Sequence, residues 1–230
     1  MAKQTKKAAA EPADTSEEPD SKTFNPTLVL VLVTLSIIIV IAGVLLWNKH
    51  HQERLADQYT YNYFEFRRDP HDLYWETDVV VNGMLTTVPF WYYPTEVEDI
   101  PIDADMGALF TNFPKTGRVY VTLDPDLNGT AVQAGVQISR LTGSRFGILG
   151  LDTRSAFTSL PPDVPANASV PFNVVKCQNQ SEHTLVVWLT KMDYTAVTHV
   201  DNCVRISGTD EQDLVRAADR LGYAILDIMP

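Results

Sequence analysis

Apolar positions follow three rhythms along the chain: an unbroken run near the start, short alternating runs through the middle, and a helical stripe at the end. Residues 28–47 read LVLVLVTLSIIIVIAGVLLW, twenty positions without a charge. At 1.5 Å per residue such a helix is about 30 Å long, one hydrocarbon thickness. Asn25 can cap it, Pro26 suits the first helical position, and Trp47 falls where an aromatic ring anchors among lipid headgroups. The run is too long for a signal-peptide core, and the following Asn48-Lys49-His50-His51 offers no cleavage site, so it reads as an uncleaved anchor. Its small residues Ser36, Ala42 and Gly43 are not spaced four apart, which gives no sequence support for helix pairing. Residues 1–27 mix Lys, Glu, Ala, Ser and Pro and read as a disordered tail, residues 48–58 as a helical stalk, and 59–230 as the domain.

Within the domain, alternation and turn chemistry predict strands over 59–66, 74–81 and 84–93, the last two joined by Asn82-Gly83, a pair suited to a type I′ turn. Residues 95–98 could form one helical turn, 99–114 reads as loop, and 118–123 as a strand. Thr130 and Gln133 make a capping box for a helix over 131–141, although Val132, Ala134, Val136 and Ile138 also alternate as a strand would. Further strands are expected over 145–151, 172–177, 184–190, 195–200 and 203–207, with a surface loop around 160–165. Thr209 and Gln212 form a second capping box, after which Leu214, Ala218, Leu221, Ile225 and Ile228 recur at helical spacing. The fold class expected is α+β: a mixed strand and helix domain closed by a C-terminal amphipathic helix.

Charge and cysteine usage narrow the function classes. The formal charge of the 230 residues is -11, which argues against a nucleic-acid partner, because phosphate binding needs a Lys/Arg surplus on some face. Lysines and arginines flank the apolar run equally on its two sides, and those after it lie closer, so the positive-inside rule is neutral or slightly favours a cytoplasmic domain. Two other features favour a domain outside and a tail inside. Acceptor sequons for N-glycosylation stand at Asn128, Asn167 and Asn179, and both cysteines, Cys177 and Cys203, lie in the domain. The expected location is the cell membrane, single-pass, with a cytoplasmic N-terminus and an extracytoplasmic glycoprotein domain.

Cys177 and Cys203, 26 positions apart and next to predicted strands, are expected to form a disulfide. Two buried thiols, or a Cys177 nucleophile served by His183 or His199, are the alternatives. Asp124-Pro125-Asp126-Leu127-Asn128-Gly129 matches the opening half of a calcium loop, but Gly135 stands where the closing acid should be, so an ordinary turn is expected. Asp103 and Asp105 read as solvated loop charges. The five histidines, His50, His51, His71, His183 and His199, form no zinc motif, and no nucleophile elbow, phosphate loop or dinucleotide fingerprint is present. Neither a catalytic residue, a metal site nor a cofactor is assigned. The aromatic group Trp91, Tyr92 and Tyr93, following Phe90, is the candidate binding surface, since a strand with large side chains on both faces must cover both or show one. Asp213, Arg216, Asp219 and Arg220 are expected to form local ion pairs on the last helix.

The closing segment, Cys203-Val204-Arg205-Ile206-Ser207-Gly208-Thr209 with Leu214, Ala217, Ala218, Asp219, Arg220 and Tyr223, resembles a C-terminal pattern of uncharacterised single-pass archaeal membrane proteins. Residues 61–66 and 93–100 (YPTEVEDI) resemble earlier blocks of that group, so the similarity spans most of 59–229; Asp227 stands where such chains tend to have glycine. The resemblance implies an archaeal envelope setting and carries over no functional residue. Together these features lead to the expectation of a non-enzymatic, membrane-anchored binding or structural module whose partners are the lipid bilayer and another membrane or envelope protein. The alternatives are a membrane-anchored hydrolase using acidic loops at Asp103 and Asp124, and a cytoplasmic-facing scaffold.

Overall fold

Helix α1, Pro26–Ala56, carries the apolar run, and its stretch Thr27–Asn48 is long and apolar enough to cross a membrane. The computed structural model describes residues 26–56, 58–68, 74–81, 83–144, 148–162, 164–165 and 173–229. Residues 1–25 of the expected tail, His71, Asn82 and Asn167 lie outside the described residues, and Pro26 and Thr27 belong to α1. The chain divides into two compact units, 1–53 and 54–230.

The second unit opens with β1, Gln58–Tyr61, and β2, Phe64–Arg68, an antiparallel hairpin where one continuous strand was expected. Asn62 and Tyr63 make its turn with φ of 45° and 69°, a backbone that Asn tolerates and that disguises a turn when Tyr occupies it. Next come β3, Trp75–Val81, and β4, Met84–Phe90, paired from Trp75↔Phe90 to Val81↔Met84, with Gly83 at φ 80° in the tip. The strand ends at Phe90, three residues before the predicted limit. A 3₁₀ turn, Pro94–Glu96, follows; the Glu96 carboxylate accepts the Tyr93 N–H, so Tyr93 and not Thr95 starts it.

Helix α2, Met106–Thr111, lies inside the stretch expected as loop, too short to show a period. Strand β5, Arg118–Leu123, leads into helix α3, Gly129–Thr142. Its cap is Asn128, whose side-chain oxygen accepts the Thr130 N–H, in place of the expected Thr130. Val132 and Val136 are about half exposed while Ala131, Ala134, Ile138 and Leu141 are fully buried, so the helical period prevails over the alternation. Strand β6, Asp152–Phe157, begins where the predicted 145–151 strand ends; of that prediction, 145–147 lie outside the described residues, and 148–151 hold no strand, Leu151 making a bridge to Gly143. Strand β7 is two residues, Asn173–Val174, and Cys177 sits in a 3₁₀ turn, Cys177–Asn179, not at a strand end. Strands β8, Thr184–Lys191, β9, Ala196–Val200, and β10, Cys203–Gly208, complete the set. Helix α4, Glu211–Ile225, is capped by Asp210, which accepts the Asp213 N–H, not by Thr209.

The fold is α+β. Strands β1-β2-β3-β4 form an antiparallel sheet, and β7-β6-β5-β8-β10-β9 a mixed one in which only β9 runs antiparallel to its neighbour. Val119, Val121, Leu185, Val187, Leu189, Val204 and Ile206 alternate onto one face of the larger sheet and are buried in the main core with α3 and α4. From the smaller sheet, Phe66, Val79, Val88 and Phe90 enter the same core. The Tyr223 ring stacks on Phe90 with centroids 4.1 Å apart, and a Cβ on Gly222 would meet Leu141 at 2.8 Å and Phe90 at 2.9 Å. Helix α4 therefore runs between the two sheets. The expected stripe, Leu214, Ala218, Leu221 and Ile225, is buried, and so is every other residue from Ala217 to Ile225. The residues of α4 that are not buried, Glu211, Gln212, Asp213 and Arg216, all lie in its first half, and from Ala217 to Ile225 there is protein on both sides.

Candidate functional site

The segment after β4 and residues 212–223 of α4 build the site. Beyond Phe90 the backbone leaves the ladder, and two successive amides need acceptors. Asp219, on α4, supplies one: its Oδ2 accepts the N–H groups of Trp91 at 2.7 Å and Tyr92 at 2.8 Å. The Tyr92 carbonyl accepts the hydroxyl of Tyr223, and Gln212 donates its side-chain amide to the Tyr92 hydroxyl. The segment 91–93 is thus pinned to α4 at backbone and side chain. Asp219 and Arg220 are both buried, Asp219 serving the Trp91 and Tyr92 amides where a local ion pair was expected, and Arg220 donating to the Met229 carbonyl at 2.7 Å. Arg216 and Asp213 do pair, at 3.0 Å.

Burial lifts Asp219 well above the usual carboxylate range, against the two amides that favour its charged form. Its Oδ1 has no hydrogen-bond partner among the described residues, so the proton that burial favours belongs on that oxygen. Burial likewise pushes the phenols of Tyr92 and Tyr93 up and that of Tyr223 well up, keeping all three neutral at ordinary pH.

The pinned segment forms a wall of a groove of about 680 Å³. Tyr59, Trp75, Trp91, Tyr92 and Tyr93 supply aromatic surface. Arg68, Thr95, Glu96 and Gln212 supply polar groups. The rings are mutually ordered: Trp75 lies 5.0 Å from Tyr93 and 5.4 Å from Tyr59, and Phe66 carries the array into the core, 5.3 Å from Tyr93 and 5.9 Å from Tyr223. The Arg68 guanidinium stands over Trp75, 5.5 Å from the ring centroid, a cation–π contact. The structure thus places Trp91, Tyr92 and Tyr93 together, as residues of a bend and not of a strand. From sequence, none of Tyr59, Arg68, Trp75 and Glu96 is assigned to a site, and Gln212 reads as a capping residue where it donates to Tyr92; the aromatic runs around Tyr59 and Trp75 are the available signal.

The other candidate residues sit elsewhere. Cys177 and Cys203 are joined in a disulfide, Cα atoms 5.3 Å apart, which removes the thiol nucleophile. The Asp124 carboxylate accepts hydrogen bonds from the Thr158 hydroxyl, the Trp188 indole at 2.9 Å and the Thr190 hydroxyl, a brace across the ends of β5, β6 and β8. Asp103 accepts the His199 N–H at 2.7 Å, and Asp105 starts α2 with φ 61°. Among the described residues no cluster of three His, Cys, Asp or Glu could hold a metal ion. Asn128 and Asn179 are exposed, and each uses only its side-chain oxygen, toward Thr130 and Lys176 respectively. The amide nitrogens to which a glycan attaches are not engaged by those bonds.

Comparison of the chain with protein-family models, curated proteins and solved structures finds no match. The site's own chemistry must carry the functional reading. A mixed aromatic and polar groove with a fixed wall has the surface chemistry of a binding site.

Proposed function

We propose that the chain is a single-pass membrane-anchored protein, and that its strand-rich domain is an extracytoplasmic binding module acting as a subunit of a membrane or cell-envelope complex. The carrying observation is the pre-built groove: a buried carboxylate spends itself on two peptide amides to hold Trp91 and Tyr92 in place. Preorganisation of this kind lowers the ordering cost of binding. The disulfide favours an oxidising compartment, the apolar α1 favours an anchor, and exposed Asn128 and Asn179 suit glycan attachment. An archaeal envelope is the setting this reading adopts. The hydrolase alternative has less behind it, since Asp103 and Asp124 are each committed to hydrogen bonds within the fold.

Protease treatment of intact cells tests the topology, with the fragment run reduced and non-reduced beside a glycan stain. Digestion from outside, with a fragment whose mobility changes on reduction, is the expected result. Full protection of the domain would reverse the orientation and favour the cytoplasmic-facing scaffold.

A further inference from the structure

We infer that the aromatic groove binds a neutral saccharide, a sugar ring lying against Trp91 and its hydroxyls bonded to Glu96, Tyr92 and Arg68. The inference rests on the groove being the binding site, and it adds the ligand class. Charge disfavours two rival classes. Arg68 stands over Trp75 and puts a positive charge in the groove, which disfavours a quaternary ammonium there. Glu96 lines the same groove on a chain of formal charge -11, which disfavours phosphates and nucleotides. With one arginine and one glutamate, the lining is balanced for a neutral ligand.

Hydrogen-bonding capacity separates the remaining candidates. Glu96 uses Oε2 on the Tyr93 N–H, which leaves Oε1 to accept. The Tyr92 hydroxyl accepts from Gln212 and retains its own proton to donate. A groove that accepts at Glu96 and donates at Tyr92 and Arg68 matches hydroxyl groups, which do both. A proline-rich peptide presents carbonyl acceptors and few donors, and would leave the Glu96 carboxylate unsatisfied as it is desolvated. Flat apolar faces of a sugar ring supply the complementary surface for indole and phenol rings. The volume, about 680 Å³, is in the range of small-molecule sites.

The test uses the full chain in nanodiscs whose lipids carry neither sugar nor choline headgroups. Maltotriose, cellotriose, mannotriose and chitotriose are titrated, with choline and a decaproline peptide as rival probes, and binding is followed by tryptophan emission and saturation-transfer NMR. At least one trisaccharide is expected to bind saturably. Trp91→Ala should weaken it by about tenfold or more, and Glu96→Gln, which keeps an acceptor for the Tyr93 N–H, by about threefold. Unchanged thermal unfolding of Glu96→Gln shows that its loss is not a folding defect. Silence toward all four sugars, binding of choline or decaproline in their place, or sugar binding indifferent to both substitutions overturns the inference. Surface exposure of the domain is read separately by protease, so the saccharide can fail while the binding-module reading stands.

Discussion

Asp219 and Trp91 are 128 positions apart, yet the carboxylate of one accepts the peptide N–H of the other at 2.7 Å. The bond joins the middle of α4 to the residue after β4, and with the parallel bond to Tyr92 it fixes the groove wall. Replacing Asp219 by Ala leaves two amides without their acceptor at a buried site. The expected cost is about 2–4 kcal/mol, since each unsatisfied buried donor costs roughly 1–3 kcal/mol. Denaturant unfolding measures it, and a loss within experimental error would mean that Trp91 and Tyr92 find other acceptors.

The same carboxyl gives a pH signature. Burial raises Asp219, so between the unfolded value of about 3.9 and the raised folded value the native chain holds a proton that the unfolded chain has released. Its contribution to stability is present below the unfolded value and is lost as pH rises through that window. Glu96 nearby pushes in the same direction and Arg140 opposes it. Asp219→Asn cannot ionise and keeps an acceptor oxygen, so its stability relative to wild type should climb from pH 4 to pH 9. A difference that stays flat across that range would place the folded carboxyl near its ordinary value.

Two glycines inside helices should respond to alanine with opposite sign. On Gly222 a Cβ would fall 2.8 Å from Leu141 and 2.9 Å from Phe90, an overpacking expected to cost about 1–3 kcal/mol. At Gly135 the nearest atoms, on Leu123 and Val121, are 3.5 and 3.6 Å away, ordinary contact. There Ala should stabilise by about 0.5–1 kcal/mol through helix propensity. Paired melting curves decide; stabilisation by both would mean that α4 can shift between the sheets.

Closing the 26-position loop between Cys177 and Cys203 should contribute about 3 kcal/mol by restricting the unfolded chain. The double Ala variant and the reduced wild type should lose similar amounts in denaturant. Asp124→Ala should also destabilise, by about 2–4 kcal/mol, because Thr158, Trp188 and Thr190 lose a shared acceptor. Trisaccharide binding should survive it in the folded fraction, and survival there is the contrast with Trp91→Ala.

Sequence pattern revealed what local chemistry decides. The β3 and β4 hairpin declares itself through Asn82-Gly83, and β5 through plain alternation between Arg118 and Leu123. The β1 to β2 turn hid because Tyr63 occupies a left-handed position usually marked by Gly or Asn. Asp219 hid for a different reason. Its charge, set beside Arg220, suggested a surface pair, whereas its partners are peptide amides on a distant segment and carry no side-chain signature. The aromatic cluster 90–93 was conspicuous, but the groove needed Tyr59, Trp75 and Gln212 from three other elements, a convergence that only the tertiary fold makes.

Placing α4 between the sheets also sets a schedule for synthesis. Asn62 donates to the carbonyl of Ile228, 166 positions later, and Phe66 and Phe90 wait for Tyr223 to cover them. At roughly 5–20 residues per second, the early strands exist for about 8–30 s before their covering helix has been made. During that interval the nascent strands present bare rings, so the smaller sheet is exposed to aggregation until α4 emerges.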